Sequence, residues 1–154
     1  MSSPGSAYFK LIGGKSTVVP KVDFDLLKKS IDTMLMIIEE GLVVSCHDLS
    51  DGGLAVSLAE MCIGGDFGAD IDITSMGDIR GDFKLFSESN TRWLVEVKKE
   101  NQSEFEEAMD IPFLNIGKIG GSRLMITDNS KTLVDFDVDD IRRAWNDTLW
   151  MIMG

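Results

Sequence analysis

Positive charge is scarce in this chain, histidine occurs once and cysteine only twice. Lys and Arg number 15 against 26 Asp and Glu, a formal net charge of −11. That balance argues against nucleic acid as a partner, because a phosphate backbone requires a basic face. A single nucleotide stays open, since Mg²⁺ and helix-end amides offset phosphate charge locally. One histidine, His47, cannot build a multi-histidine metal centre. Cys46 and Cys62 lie in apolar contexts without zinc-site spacing and read as reduced and buried, as in a cytoplasmic protein. No run of about 18 apolar residues is present, so no membrane span is predicted. The start, Met1-Ser-Ser-Pro-Gly-Ser, lacks the basic and then apolar regions of a signal peptide.

What is present is globular: 154 residues, 44% hydrophobic and 27% charged, enough for one domain with its own core. Residues 1–20 are rich in Gly, Ser and Lys, broken by Pro4 and Pro20, and read as a linker from a missing upstream domain. Tyr8, Phe9, Leu11 and Ile12 interrupt its polarity, so part of it is expected to pack. Asp23 is placed to cap a helix with Leu27, Ile31, Met34, Leu35 and Ile38 on one face, ended by Gly41. Leu42-Val43-Val44-Ser45 reads as a buried strand. Gly68 to Ile73 alternates, with Ala69, Ile71 and Ile73 inward and Asp70 and Asp72 on a solvated face. Residues 74–84 read as a loop or short helix, and Arg92 to Val97 as a strand. Ser103 with Glu106 predicts a capping box, with Phe105 and Met109 the helix's apolar side. A meander is expected from Phe113–Lys118, Arg123–Thr127 and Thr132–Phe136, turning at Gly120-Gly121 and Asp128-Asn129. Asp137 or Asp139 caps a last helix, with Val138, Ile141, Trp145 and Leu149 on one side. This order predicts an α+β fold, a mixed or antiparallel sheet with helices mainly on one face.

The chemistry concentrates in Cys46-His47-Asp48-Leu49-Ser50-Asp51-Gly52-Gly53-Leu54, between the expected strand and a helix carrying Leu54, Leu58, Met61 and Cys62 up to Gly64-Gly65. Ser50 or Asp51 would be the N-cap, and the glycines would leave backbone amides uncovered for a phosphate. Asp48 would hold a hydrated Mg²⁺. Neither a Walker loop nor a dinucleotide fingerprint is present, and glycines at such turns often only let the backbone turn. A second polar cluster, Glu88, Ser89 and Arg92, reads either as a strand-entry cap with a surface ion pair or as a hydrogen-bonding edge for a sugar or amide. In the latter, Arg92 holds the Glu88 carboxylate. No Ser-His-Asp or Cys-His nucleophile set is seen.

His47-Asp48-Leu-Ser-Asp51-Gly52-Gly53-Leu54-Ala55, followed by Leu58-Ala59-Glu60-Met61, resembles a known family, and Leu85-Phe86-Ser87-Glu88-Ser89 with Arg92 is a second match at the expected distance. Both are similar to the C-terminal domain of phosphoribosylformylglycinamidine synthases, within the aminoimidazole ribonucleotide synthetase superfamily. Gly5-Ser6-Ala7-Tyr8 resembles that family's Gly-Ser-Glu-Tyr entry segment, with Ala7 departing from it. The resemblance implies residues 21–154 as a synthetase-type C-terminal domain of a purine-synthesis ligase, inactive alone. It implies ATP or ADP and Mg²⁺ in the intact enzyme. The implied partners are upstream domains of the same polypeptide, a glutaminase subunit and a small accessory subunit. Separately, the apolar stretches Tyr8 to Ile12 and Trp150-Met-Ile-Met predict a partner surface, in cis or as a homodimer, and charge and hydropathy predict neither nucleic acid nor membrane. Ser-Asp-Gly-Gly is the form typical of the family's second C-type domain, and His47 replaces the Gln usual in the first. The implied substrate- or nucleotide-facing residues are His47, Asp48, Ser50, Asp51, Gly52, Gly53, Glu88, Ser89 and Arg92, with Asp48 also at metal and none catalytic. Other superfamily members (aminoimidazole ribonucleotide synthetase, selenophosphate synthetase, thiamine-phosphate kinase, a hydrogenase maturation protein) carry an equivalent turn. A structural or dimerisation domain is the third reading.

Overall fold

A computed structural model describes residues 6–14 and 21–153, with side chains as far as residue 147. Pro4, Gly5 and Pro20, and the side chains of Leu149 and of the apolar tail from Trp150, lie outside the described residues. In chain order the elements are α1 (Ala7–Leu11), α2 (Phe24–Glu39), β1 (Ser45–Asp48), α3 (Gly53–Gly65), β2 (Ala69–Asp72), α4 (Gly81–Phe86), β3 (Trp93–Glu96), α5 (Gln102–Ala108), β4 (Gly117–Ile119), β5 (Arg123–Asp128), β6 (Lys131–Asp137) and α6 (Val138–Met153). Helices and mixed sheet together give the expected α+β class. The chain forms two compact units, one running to Ser57 and including Leu85–Leu114, the other Leu58–Lys84 with the chain from Asn115 onward.

In the first unit, α2 starts as its sequence predicts, with the Asp23 carboxylate accepting from Leu26 N at 3.0 Å. It ends in a Schellman motif: Leu42 N donates to Ile37 O, Gly41 N to Ile38 O, and Gly41 takes φ +70°. The buried face is rotated from the expected one, with Met34 common to both. Ser30, Thr33, Met34 and Ile37 point inward, whereas Ile31, Leu35 and Ile38 are 43%, 54% and 48% exposed. Polar anchoring accounts for the rotation, since Thr33 Oγ1 donates to Asp110 Oδ1 at 2.6 Å and pulls its side of the helix inward. Met34, Ile37, Leu42 and Phe105 form the core, joined by Trp93, Val95 and Val97 from one face of β3 and the residues after it. The strand paired with β3 is Ser45–Asp48, not 42–45; Leu42 serves the core from the extended segment ahead of it. Cys62 is buried as expected, but Cys46 is exposed. Burial of its sulfur and then the nearby Asp48 carboxylate raise the Cys46 thiol pKa. The 3₁₀ turn Lys99–Asn101 makes Asn101 the residue before α5, so Ser103 lies inside the helix and forms no capping box.

In the second unit the strand order is β4-β2-β5-β6. Strand β2 sits between β4 (antiparallel) and β5 (parallel), so β4 and β5 are not neighbours and the expected meander reduces to the β5–β6 hairpin. Long-range pairing, not chain order, sets these neighbours, and the alternation of β2 sets only its two faces. Ala69 and Ile71, with Ile73 just beyond, are buried, while Asp70 and Asp72 are exposed, the pattern of a strand with one solvated face. The hairpin turns at Asn129 and Ser130, φ +48° and +64°, one residue later than expected and with the two positive φ values of a type I′ turn. Lys84 is 1% exposed and bonded to Asp128 Oδ1 at 2.8 Å and Ile73 O at 3.3 Å, which compensates its buried charge. Asp137 precedes α6 and accepts from Asp139 N, as expected of its cap.

Two outcomes follow from these placements. Ile37→Ala should cost about 2–5 kcal/mol in urea unfolding and Leu35→Ala under about 1 kcal/mol, the reverse of a core built on the predicted stripe. Hydrogen bonds from the Thr74 hydroxyl and amide lower the Asp72 pKa, so its contribution to stability is complete above the ordinary carboxylate value and is lost as pH falls through the lower folded value. Asp72→Asn should therefore flatten the stability curve below about pH 4, read by urea titration at several pH values.

Candidate functional site

Strand β1 carries Cys46, His47 and Asp48, and its chain then turns through Leu49–Gly52 into α3. The polar run thus begins inside the strand. The helix begins at Gly53, so neither Ser50 nor Asp51 is the residue preceding it, and Gly53 N donates to Ser50 O at 3.1 Å. Both glycines are buried and left-handed, φ +80° at Gly52 and +64° at Gly53. A Cβ on Gly53 would lie 2.8 Å from Ser87 O and 2.9 Å from Leu85 O, so the turn needs a residue without a side chain to let the 85–87 backbone approach.

That approach brings together the two polar clusters singled out in the sequence. Glu88 Oε1 accepts from Gly52 N at 2.9 Å and from Ala7 N at 3.0 Å. Leu49 N donates to Arg92 O, and Asp48 pairs with Trp93. The expectation of uncovered glycine amides is corrected: the amide of Gly52 is taken by Glu88 and that of Gly53 by Ser50. A protein carboxylate stands at the start of α3 where a phosphate was expected, and it satisfies one of the donors there, the Gly52 amide.

The expected Arg92–Glu88 pairing is also replaced. Arg92 Nε donates to Ser89 O and Nη2 to Ser87 O, locking the loop's carbonyls, while Nη1 is buried without a hydrogen-bond partner among the described residues. Burial lowers the guanidinium pKa from its ordinary value. Ser89 Oγ lies 3.3 Å from Ser87 Oγ. His47 Nδ1 is 2.6 Å from Asp48 O, which places the proton on Nδ1; the same carbonyl accepts from Ser57 Oγ at 3.1 Å. The side chain of Asp48 is 69% exposed, and Ser50 and Asp51 are exposed beside it. Among the described residues no group of three or more His, Cys, Asp or Glu converges on a metal-sized site.

Two contributors escaped the sequence reading. Ala7 supplies a backbone donor, invisible in side-chain patterns, although the apolar Tyr8 beside it signalled that the segment packs; Tyr8 stacks on Phe86 at 4.8 Å. Thr91, between Ser89 and Arg92, has φ +64°, a strained conformation for a β-branched residue.

The fold and this turn define an α+β domain in which a strand, a glycine pair and a helix are closed by a carboxylate from a second loop. The family described as AIR synthase related protein, C-terminal domain, matches residues 5–127. The chain belongs to that family. Among curated relatives, the phosphoribosylformylglycinamidine synthase subunit PurL of Methanocaldococcus jannaschii is 35% identical over 153 residues, covering 97% of this chain and 21% of the relative. The subunit of the same name from Methanothrix thermoacetophila is 35% identical over 149 residues, 94% of this chain and 19% of the relative. This chain thus spans about a fifth of the length of the relatives it matches. Among solved structures, PurLQS from Thermotoga maritima aligns with TM-score 0.67 at 19% identity, over 88% of this chain and 24% of that one. T. maritima PurL complexed with ATP aligns with TM-score 0.62 at 21% identity, over 73% of this chain and 21% of that one. At these identities the structures speak to the fold, which they share.

Two substitutions test the turn. Thr91→Gly should stabilise the chain by about 1 kcal/mol by removing left-handed strain. Gly53→Ala should cost more than Gly13→Ala, since both positions have positive φ (+64° and +67°) but only Gly53 has backbone within 3 Å of the added carbon. Urea unfolding of the variants measures both.

Proposed function

We propose that this chain is the C-terminal domain of a phosphoribosylformylglycinamidine synthase large subunit, acting in de novo purine synthesis within a longer polypeptide. The observation that carries the proposal is the match along 97% of the chain to a subunit bearing that name. On this reading, residues 1–20 are the entry segment and 21–154 the synthetase-type domain. The intact enzyme uses ATP to activate the formamide oxygen of formylglycinamide ribonucleotide as an iminophosphate. Ammonia released from glutamine by a partner subunit then displaces phosphate. Upstream domains, a glutaminase subunit, a small accessory subunit and a second copy of the chain are the proposed partners, in the cytoplasm. The isolated domain has no turnover of its own.

Within this reading His47, Asp48, Ser50, Asp51, Ser89 and Arg92 form one wall of a nucleotide or substrate site. Asp48 would hold one side of a hydrated Mg²⁺, the cation that neutralises phosphate charge. Gly52, Gly53 and Glu88 shape that wall, because their polar groups are already engaged within the fold, Gly52 N with Glu88 and Gly53 N with Ser50 O. The same engagement favours a second reading, a packing domain without a ligand of its own.

A chimera separates the readings. The M. jannaschii subunit with its matching segment replaced by this chain is assayed for ATP-dependent amidine formation with ammonium as nitrogen source. Retained turnover is expected, and a folded chimera with none would overturn the synthase reading. Asp48→Ala in the chimera should lower turnover at least about tenfold at unchanged folding. Unchanged turnover per folded molecule would favour the packing domain.

A further inference from the structure

A single carboxylate oxygen, Glu88 Oε1, accepts both from Gly52 N at 2.9 Å and from Ala7 N at 3.0 Å, positions 36 and 81 residues away in sequence. The Ala7 side of this bridge belongs to a short, fully capped element. Ser6 is buried and its hydroxyl accepts from Phe9 N, and the helix closes through Gly13 N to Lys10 O and Gly14 N to Phe9 O. A second contact from the same element lands on the same loop: the Tyr8 ring lies parallel to that of Phe86, centroids 4.8 Å apart. Phe86 and Glu88 flank Ser87, whose carbonyl is the atom nearest a Cβ built on Gly53. Both contacts of the segment therefore reach the residues that press on the glycine pair.

We propose that Ser6–Ile12 is a strap that sets the conformation of the glycine turn through Glu88. With the strap docked, Ala7 N holds the Glu88 carboxylate and the Tyr8 ring holds that of Phe86, Glu88 holds the Gly52 amide, and the two left-handed glycines keep their φ values. With the strap released, Oε1 loses one of its two donors and Phe86 loses its ring partner. The turn from His47 to Gly53 then relaxes, because left-handed glycines have no intrinsic preference for that conformation. Leu11, 85% exposed, and Ile12, 55% exposed, leave the end of the strap available to whatever else in the protein pulls on it. The proposal rests on these contacts alone and stands whether or not the chain works in a purine-synthesis enzyme.

Proline is favoured at the first residue of a helix and lacks an N–H, so Ala7→Pro removes the strap's hydrogen bond and keeps α1. The test is amide hydrogen exchange at Gly52, read by NMR on the 154-residue chain. Ala7→Pro should speed Gly52 exchange several-fold, and Glu88→Ala about tenfold, while Ile37 and Ile126 amides keep their protection. Tyr8→Ala, which removes the stack and leaves the Ala7 amide in place, should also speed it. Tyr8 is the only tyrosine, so its ring signals report whether the strap stays docked. If Gly52 exchange is unchanged in both Ala7→Pro and Tyr8→Ala, the strap does not set the turn and the proposal is overturned. If Glu88→Ala unfolds the chain, the other two variants decide the matter by the same readout.

Discussion

The close approach of the Leu85–Ser87 backbone to Gly53 is the constraint on which the first unit's polar chemistry depends. No L side chain fits there, and at φ +64° few would choose to. Because those backbones touch, Glu88 comes within hydrogen-bond distance of Gly52, and Arg92 folds back onto the carbonyls of Ser87 and Ser89. Each group answers a problem the approach creates. The amides of a buried helix start need acceptors, and the carbonyls of a tight loop need donors. A carboxylate and a guanidinium supply both, without pairing with each other.

A turn solved in this way differs from an open phosphate cradle. Its two glycine amides are occupied, its charged acceptor is built in, and what faces outward is the Asp48 carboxylate with Ser50 and Asp51. Anion chemistry has been turned inward to hold the fold, and the outward face is acidic. The family to which the chain belongs thus supplies the scaffold, while the residues at this turn decide what the scaffold can meet.

Much of this was legible in the residues themselves. Asp23, Gly41 and Asp137 bound their helices as local capping rules require, because caps are settled by neighbours within four residues. The alternation from Ala69 to Asp72 gave a strand and its two faces correctly, because side chains in a strand alternate whatever lies beside it. The two motifs, His47–Leu54 and Leu85–Arg92, were recognisable as a pair, and the structure brings them together.

What lay beyond the sequence was every question of which partner a group meets. Helix α2 carries two adjacent faces fit for burial, and Thr33 bonding to Asp110, 77 residues away, selects the one with Ser30 and Thr33 over the more apolar stripe. Strand β2 inserts between β4 and β5, because long-range pairing, not chain order, fixes a sheet. Arg92 chose carbonyls over Glu88, and Glu88 chose two backbone amides, one of them in a segment that reads as linker. Local spacing determined caps such as Asp23, Gly41 and Asp137, since these act through near neighbours along the chain. Tertiary packing decides where a hydrogen bond ends, since a buried polar atom must take whichever partner the fold brings within about 3 Å.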